Sequence, residues 1–204
     1  MRRPAFIAKQ ARHAHGPLGR LIAFIMARET WSQNQRAIAA LEISNGENVL
    51  DIGCGHGRSL PALSDLTPDG LVVGVDPSEL MVEIAANRTK MLIKACRADV
   101  AHASVENLPF VAGAFDKVLC VHVLYFWPDL SDAFKEIARV LKPGGLLALL
   151  FRTSDGAATA SFPADVYLFR SCEEVATILT KVGFSVEAVI NVGDCVLLTA
   201  RRSG

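Results

Sequence analysis

The chain has 204 residues, 51% of them hydrophobic and 21% charged, enough apolar mass for a sizeable core in one domain, which excludes a wholly disordered chain. Its 21 Lys+Arg balance 21 Asp+Glu, but Arg2, Arg3, Lys9, Arg12, Arg20 and Arg28 fall in residues 1–28 with no acid, leaving 15 basic against 21 acidic side chains for residues 29–204. That acidic body disfavours a nucleic-acid binder, and five scattered cysteines without a CxxC pair suggest neither a metal site nor a disulfide framework, which points to the reduced cytoplasm.

The N-terminal stretch has some marks of a targeting address, with Arg2-Arg3 ahead of Phe6 and Ile7. Its apolar run Leu21–Ala27 is only seven residues long, lies between Arg20 and Arg28, and is followed by no small-x-small cleavage site. No run approaches the roughly 18 apolar residues that span a bilayer. A helical extension is the better reading. Leu18, Leu21, Ile22 and Ile25 recur at helical spacing, and Trp31, Ile38 and Leu41 mark a second helix ending near Ser44-Asn45-Gly46. Residues 1–45 are therefore read as a basic N-terminal helical extension, and 46–204 as the main domain.

From Glu47 the hydrophobic period changes. Asn48–Gly53 (NVLDIG) reads as a short buried strand running into glycines, after which Leu60, Leu63 and Leu66 keep helical spacing up to Pro68-Asp69-Gly70. Leu71–Asp76 is a second buried strand, Ser78–Ala95 a helix, Ala98–Ala103 a weaker third strand and Phe115–Val121 a fourth. Leu130–Leu141 is helical up to Pro143-Gly144-Gly145, and Leu146–Phe151 is a fifth strand. Ser171 and Glu174 fit a capping box opening a helix on Val175, Ile178, Leu179 and Val182, with Gly183 placed for a left-handed cap. Phe184–Val192 and Cys195–Arg201 follow as strands joined through Gly193-Asp194, a hairpin signal. Strands alternating with helices imply an α/β fold with a mostly parallel sheet covered on both faces.

The segment Val49–Gly57 (VLDIGCGHG) carries the most chemistry. Gly53 lets the chain turn off the strand, and Gly55 and Gly57 let backbone approach a ligand with no Cβ in the way. Asp76 ends the next strand, 19 residues beyond Gly57, where a carboxylate accepts hydrogen bonds from ribose hydroxyls. Position 58 is arginine, so the pyrophosphate-binding GxGxxG spacing is not met, and Asp51 at the strand end would repel a diphosphate while pairing with a cationic amino group. An adenosine bearing an amino-acid tail and no phosphate fits these facts, which describes S-adenosylmethionine.

With these motifs the chain resembles the class I S-adenosylmethionine-dependent methyltransferases, of the small-molecule type that includes quinone-biosynthesis C-methyltransferases. The likeness covers roughly residues 45–201 and rests on VLDIGCGHG (49–57), VVGVDPSELM (72–81), ASVENLPF (103–110), FDKVLCVHVLYFWPD (115–129) and RVLKPGGLL (139–147), in that order. The resemblance implies a three-layer Rossmann-like sandwich, its seven-stranded sheet having one antiparallel strand near the C-terminus. It implies that Asp51 and the loop Gly53, Cys54, Gly55 and Gly57 hold the methionine moiety, Asp76 the ribose and Met81 the adenine side, with Pro77 also among the cofactor-binding residues. Many relatives carry an acid where this chain has Ser104, so the side-chain contact to adenine there becomes a hydroxyl or vanishes, while the backbone N–H of Val105 can still serve adenine.

Other candidates stay open. His122 follows the fourth strand, where the family places residues touching cofactor or substrate; cofactor contact, general base and a structural role are all readings of it. Methyl transfer from a sulfonium requires no base, so alignment contributes most and no catalytic residue is assigned. His56, in the glycine loop, is read as facing solvent. Of Tyr125, Phe126 and Trp127, at least one belongs to the core, with Tyr125 a candidate pocket wall and Trp127 structural. Residues 152–170 would sit at the carboxyl edge of the sheet, either as a substrate lid using Phe162, Tyr167 and Phe169 or as a plain loop before a packing segment. Cys54 and Cys120 read as small buried residues.

The expected reaction is methyl transfer to a small-molecule or lipid-like acceptor. His122-Val123-Leu124-Tyr125 stands where nucleic-acid amino-methylating enzymes carry Asn/Asp-Pro-Pro-Tyr/Phe, and no metal cluster supports a metal-assisted mechanism. A nicotinamide-dependent oxidoreductase and a non-catalytic protein keeping the fold are the alternatives. The arm 1–28 is either a solvated helix or a peripheral membrane contact suited to a lipid acceptor or an anionic substrate. The expected location is the cytoplasm, with membrane association if the arm binds lipid; the sequence does not give the oligomeric state.

Overall fold

Apolar runs too short for helices, bounded by Gly, Pro or Asp, form one sheet. In the computed structural model, which describes residues 30–156 and 159–204 together with Gly16, the strands are β1 (Val49–Ile52), β2 (Val72–Asp76), β3 (Ala98–His102), β4 (Phe115–Val121), β5 (Leu141–Phe151), β6 (Phe184–Val192) and β7 (Cys195–Arg202). The arm 1–28, with its expected first helix and the run Leu21–Ala27, lies outside the described residues. The sheet order is β3-β2-β1-β4-β5-β7-β6. Pairings from β3 across to β5 are parallel, and β7 runs antiparallel to both β5 and β6, so the sheet is mostly parallel with one reversed strand near the C-terminus.

Helices cover both faces: α1 (Trp31–Ala40), α2 (Ser59–Leu66), α3 (Glu79–Lys94), α4 (Leu130–Val140) and α5 (Cys172–Lys181). One core layer joins α4 and α5 to the sheet through Phe134, Ile137, Val175 and Leu179; the other joins α1, α2 and α3 through Ala37, Ile38, Leu41, Leu60, Leu63 and Ala85. Every residue of β1 and β2 is buried, as expected where helices flank a parallel sheet on both sides. On α4, Leu130, Ala133, Phe134, Ile137 and Val140 fall on one buried stripe, and the Asp129 side chain caps its start by accepting from the Ser131 and Asp132 N–H groups. Burying a large side chain such as Phe134 contributes about 1.5–3 kcal/mol.

Two local expectations shift, at Leu141 and at the capping box, and the third strand is as weak as expected. Leu141 opens β5 instead of closing the preceding helix: its backbone is extended (φ −71, ψ 144) and it pairs with Phe115. Pro143 drives the residue before it out of the helical region, so the chain turns extended one step early. Strand β3 is only partly covered because it is an edge strand. At α5 half of the expected capping box forms: the Glu174 N–H donates to Ser171 Oγ at 3.1 Å, while the Glu174 carboxylate meets Arg170 at 3.3 Å.

Candidate functional site

In the strand order β1 is followed on one side by β2 and β3 and on the other by β4, so the topology reverses between β1 and β4, opening a crevice at their carboxyl ends. The glycine loop leaves β1 there. Gly53, at φ 73, is wedged so tightly that a Cβ would lie 2.3 Å from Val123 Cγ1, and a Cβ on Gly57 would lie 2.8 Å from the Ala85 Cβ of α3. Above Gly55 (φ 54) nothing lies within 4 Å of the same position. Two glycines therefore seat the loop, and the third leaves backbone exposed to the crevice.

The loop N–H groups are largely spent within the protein. Gly53 and Cys54 both donate to the Val75 carbonyl (2.8 and 3.0 Å), Gly57 to the Cys54 carbonyl (3.0 Å), and Gly55 to Asp76 Oδ2 (2.9 Å). Four of the loop's amides are thus committed within the protein and not turned toward the crevice.

Two acids occupy adjacent strands, with β1 and β2 in parallel register (Asp51 opposite Gly74). Asp51 is buried and accepts a hydrogen bond from Ser59 Oγ at the start of α2. Burial pushes its carboxyl up to about 7; the Ser59 hydroxyl works against this rise and the nearby charge of Asp76 adds to it. Asp76, 8% exposed, accepts from the Gly55 N–H through one oxygen and from the Ser78 N–H (2.9 Å) through the other. Each carboxylate oxygen offers two lone pairs, so this Asp can hold the loop and still accept from a ligand hydroxyl.

The remaining candidates gather around these acids or beyond them. Pro77 follows Asp76, is exposed, and has its carbonyl 2.9 Å from His102 Nε2. Met81 lies buried in the first turn of α3, its N–H donating to Ser78 Oγ (3.4 Å). Ser104 is exposed just past β3, and Val105 beside it is buried in the core layer. Cys54 is 7% exposed, and burial pushes both its thiol and that of Cys120 well up, which suits packing and not nucleophilic attack. All five cysteines are free. His56 is half-buried instead of facing solvent; burial, and then the charges of Arg88 and Arg58, push its imidazole down to about 4.

His122 ends up at the junction of three elements. Its backbone takes φ 60, a left-handed conformation that is uncommon for a side-chain-bearing residue. Its Nδ1 lies 2.8 Å from the Tyr125 hydroxyl and its Nε2 lies 2.6 Å from Gln33 Oε1 on α1. Burial, reinforced by the charge of Arg152, pushes the imidazole down to about 3, so it is neutral near pH 7. Tyr125 is buried among Phe126, Tyr167 and Phe169, and Tyr167 stacks on Phe169 with centroids 5.6 Å apart. The Leu168 N–H donates to the Tyr125 carbonyl (2.8 Å), which ties the 152–170 insertion to the crevice wall. Trp127 is core, edge-on to Phe134.

Sequence reading missed Ser59, Gln33, Arg152, Asp194 and Cys195. Ser59 had a signal, as the first hydroxyl after the glycines at a helix start. The rest had none, because Gln33 reaches His122 across 89 residues and Cys195 across 162. Trp31 of α1 also stacks under the Arg58 guanidinium, 4.4 Å from the ring centre, so α1 holds the far end of the glycine loop. Among the described residues no group of three or more His, Cys, Asp or Glu could hold a metal.

A family profile described as a methyltransferase domain matches residues 50–149. The chain is 33% identical over 139 residues to the uncharacterized methyltransferase YdaC of Bacillus subtilis, covering 68% of this chain and 75% of that protein. It is 34% identical over 134 residues to a demethylmenaquinone methyltransferase of Staphylococcus saprophyticus, covering 65% of this chain but only 55% of that protein. A solved SAM dependent methyltransferase from Aquifex aeolicus superposes with a TM-score of 0.72 at 25% identity, covering 83% of this chain and 89% of that one.

Proposed function

Because the chain belongs to the class I S-adenosylmethionine-dependent methyltransferases, we propose that the β1/β4 crevice holds the cofactor and delivers its methyl group to a small-molecule or lipid-like acceptor. The observation that carries this reading is the pairing of Asp51 and Asp76 around a glycine loop whose amides are already engaged. The donor set fits an adenosine with an amino-acid tail: a buried carboxyl for the ammonium, a second for the ribose hydroxyls, and open backbone at Gly55. Cys54, Gly53 and Gly57 shape the methionine side; Pro77, Met81, Ser104 and Val105 line the path from Asp76 toward the adenine end. When bound, the cofactor supplies an activated sulfonium methyl, so the residues of this chain orient and exclude water.

The acceptor side is assigned to Tyr125 and Tyr167 with the 152–170 insertion, and His122 faces the boundary between the two halves. A 27-O-demethylrifamycin SV methyltransferase of Amycolatopsis mediterranei, 36% identical over 115 residues that make up 42% of that protein, and the demethylmenaquinone methyltransferase support a small-molecule acceptor in that position. Calorimetry is expected to show binding of both S-adenosylmethionine and S-adenosylhomocysteine; binding of neither at millimolar concentration would refute the assignment.

We also propose that residues 1–45 form an extension distinct in sequence from the domain 46–204, with the basic arm of residues 1–28 serving as a peripheral membrane contact in a cytoplasmic protein. No helix among the described residues is long and apolar enough to cross a membrane. Removing residues 1–28 is expected to lower cosedimentation with vesicles of anionic lipid while leaving S-adenosylhomocysteine affinity unchanged. Undiminished vesicle binding would mean a solvated arm.

A further inference from the structure

The polar contacts around His122 form a chain whose direction can be read from one end. Asp194, in the turn between β6 and β7, forms an ion pair with Arg152 just past the end of β5, so it is a carboxylate and accepts only. Cys195 Sγ lies 3.4 Å from Asp194 Oδ1, so the thiol hydrogen points to the carboxylate; burial keeps that thiol protonated. The sulfur then has only lone pairs to offer Gln33, whose amide nitrogen lies 3.5 Å away, and this fixes the amide: nitrogen to sulfur, oxygen to the imidazole. Gln33 Oε1 accepts only, so His122 Nε2 carries the hydrogen across their 2.6 Å contact. In a neutral imidazole Nδ1 is then a bare acceptor, and across 2.8 Å it takes the hydrogen of the Tyr125 hydroxyl.

We infer that Gln33 and His122 are positioning residues which commit the single phenolic hydrogen of Tyr125 to Nδ1, so that the Tyr125 oxygen meets other groups only as an acceptor and the site selects a methyl acceptor bearing a hydrogen-bond donor, a hydroxyl or N–H. This rests on the assignment of Tyr125 to the acceptor side of the crevice. An ether, a carboxylate or a bare hydrocarbon presented to that oxygen offers it no donor, and desolvating the oxygen against such a group carries a cost. The segment that holds Tyr125 also abuts the glycine loop, since Val123 packs on Gly53. Helix α1 is therefore built into the selecting apparatus: through Gln33 it sets the tautomer that sets the phenol.

Two measurements test this. In the full-length nitrogen-15-labelled protein at pH 7, with and without S-adenosylhomocysteine, long-range proton–nitrogen correlation is expected to show His122 protonated at Nε2 and bare at Nδ1. The resonances are assigned by their loss in His122→Asn. Gln33→Met, which keeps the length but removes the accepting oxygen, is expected to convert this into a mixture of tautomers. A wild-type His122 protonated at Nδ1, or present as imidazolium, overturns the inference, as does an unchanged tautomer in Gln33→Met. Second, ligand-observed titration of the S-adenosylhomocysteine-bound protein should show phenol binding about tenfold more tightly than its methyl ether anisole, the value of roughly one hydrogen bond. Tyr125→Phe, a conservative change, should erase that preference. Equal affinity for the two probes, no phenol binding at millimolar concentration, or a preference that survives in Tyr125→Phe would each refute the donor-bearing class. Failure of S-adenosylhomocysteine itself to bind would instead overturn the cofactor reading, with the tautomer in the free protein still deciding this one.

Discussion

S-Adenosylhomocysteine is expected to bind more tightly, by roughly tenfold or more, at pH 7.4 than at pH 5.5, with an acid limb near 7 from Asp51 and a decline only at higher pH, where the ligand's own α-amino group loses its proton. The cause is burial. Asp51 is enclosed at the end of β1 with Ser59 as its hydrogen-bond partner and Asp76 close by, so its carboxyl holds a proton up to about pH 7 in the free protein. An ammonium can pair with it only as the carboxylate, so below that pH binding must expel a proton and weakens up to tenfold per unit. Calorimetry in two buffers of different ionisation enthalpy should register close to one proton released per ligand near pH 6 and far less proton release from Asp51 near pH 8. Asp51→Asn should bind weakly at pH 7.4 and lose the acid limb. A wild-type affinity flat across this range would remove Asp51 from contact with the ammonium. The same shift has a sign for folding. The native carboxyl holds its proton above the ordinary value of 3.8, so unliganded stability from this group is greatest at low pH and declines as the pH rises from about 4 to about 7. Pairing with the ligand's ammonium offsets that loss.

Asp76→Ala is expected to weaken S-adenosylhomocysteine by about 1.5–3 kcal/mol, roughly 10- to 150-fold, the range for hydrogen bonds to a charged group. The substitution removes the proposed ribose acceptor, and it also orphans the Gly55 and Ser78 N–H groups that the carboxylate holds. Asp76→Asn separates the two effects: its one carbonyl oxygen still accepts, so its affinity should fall between wild type and Asp76→Ala. Removing the charge should further shift the acid limb of Asp51 downward, because Asp76 is one of the groups that raise it. A folded Asp76→Ala protein with wild-type affinity would take Asp76 out of the ribose role, whatever the loop does.

The residues legible in the sequence share a property. Asp51, the three loop glycines and Asp76 stand at strand ends, where a buried apolar run, a turn and an acid are neighbours along the chain as well as in space. Their arrangement follows from local geometry, and so does most of the element order, down to Gly183 at φ 93 after α5. What escaped depends on packing between distant segments. Leu141 carries helical periodicity, yet strand pairing with Phe115 and the proline two residues on decide its backbone. His122 could be singled out but not interpreted, since the meaning of its imidazole comes from Gln33 and, through it, from Cys195 at the start of β7, distant in sequence from both. Helix α1 falls on the extension side of the division at residue 45, yet Ala37, Ile38 and Leu41 are built into the core. An amphipathic stripe announces that a helix has an inner face without naming what that face will meet.

The engaged amides of the glycine loop bear on competition inside a cell. Adenine and ribose are shared by many abundant metabolites, most of them carrying two or three phosphates, and a pocket that recognised only those shared groups would be filled by the wrong molecule. The N–H groups of Gly53, Cys54, Gly55 and Gly57 donate inward, so these four are not available to the phosphates of such metabolites. If the crevice holds the cofactor as proposed, discrimination against nucleotides would rest on these internal backbone bonds together with Asp76, which engages the Gly55 N–H, and not on the residues that choose the methyl acceptor.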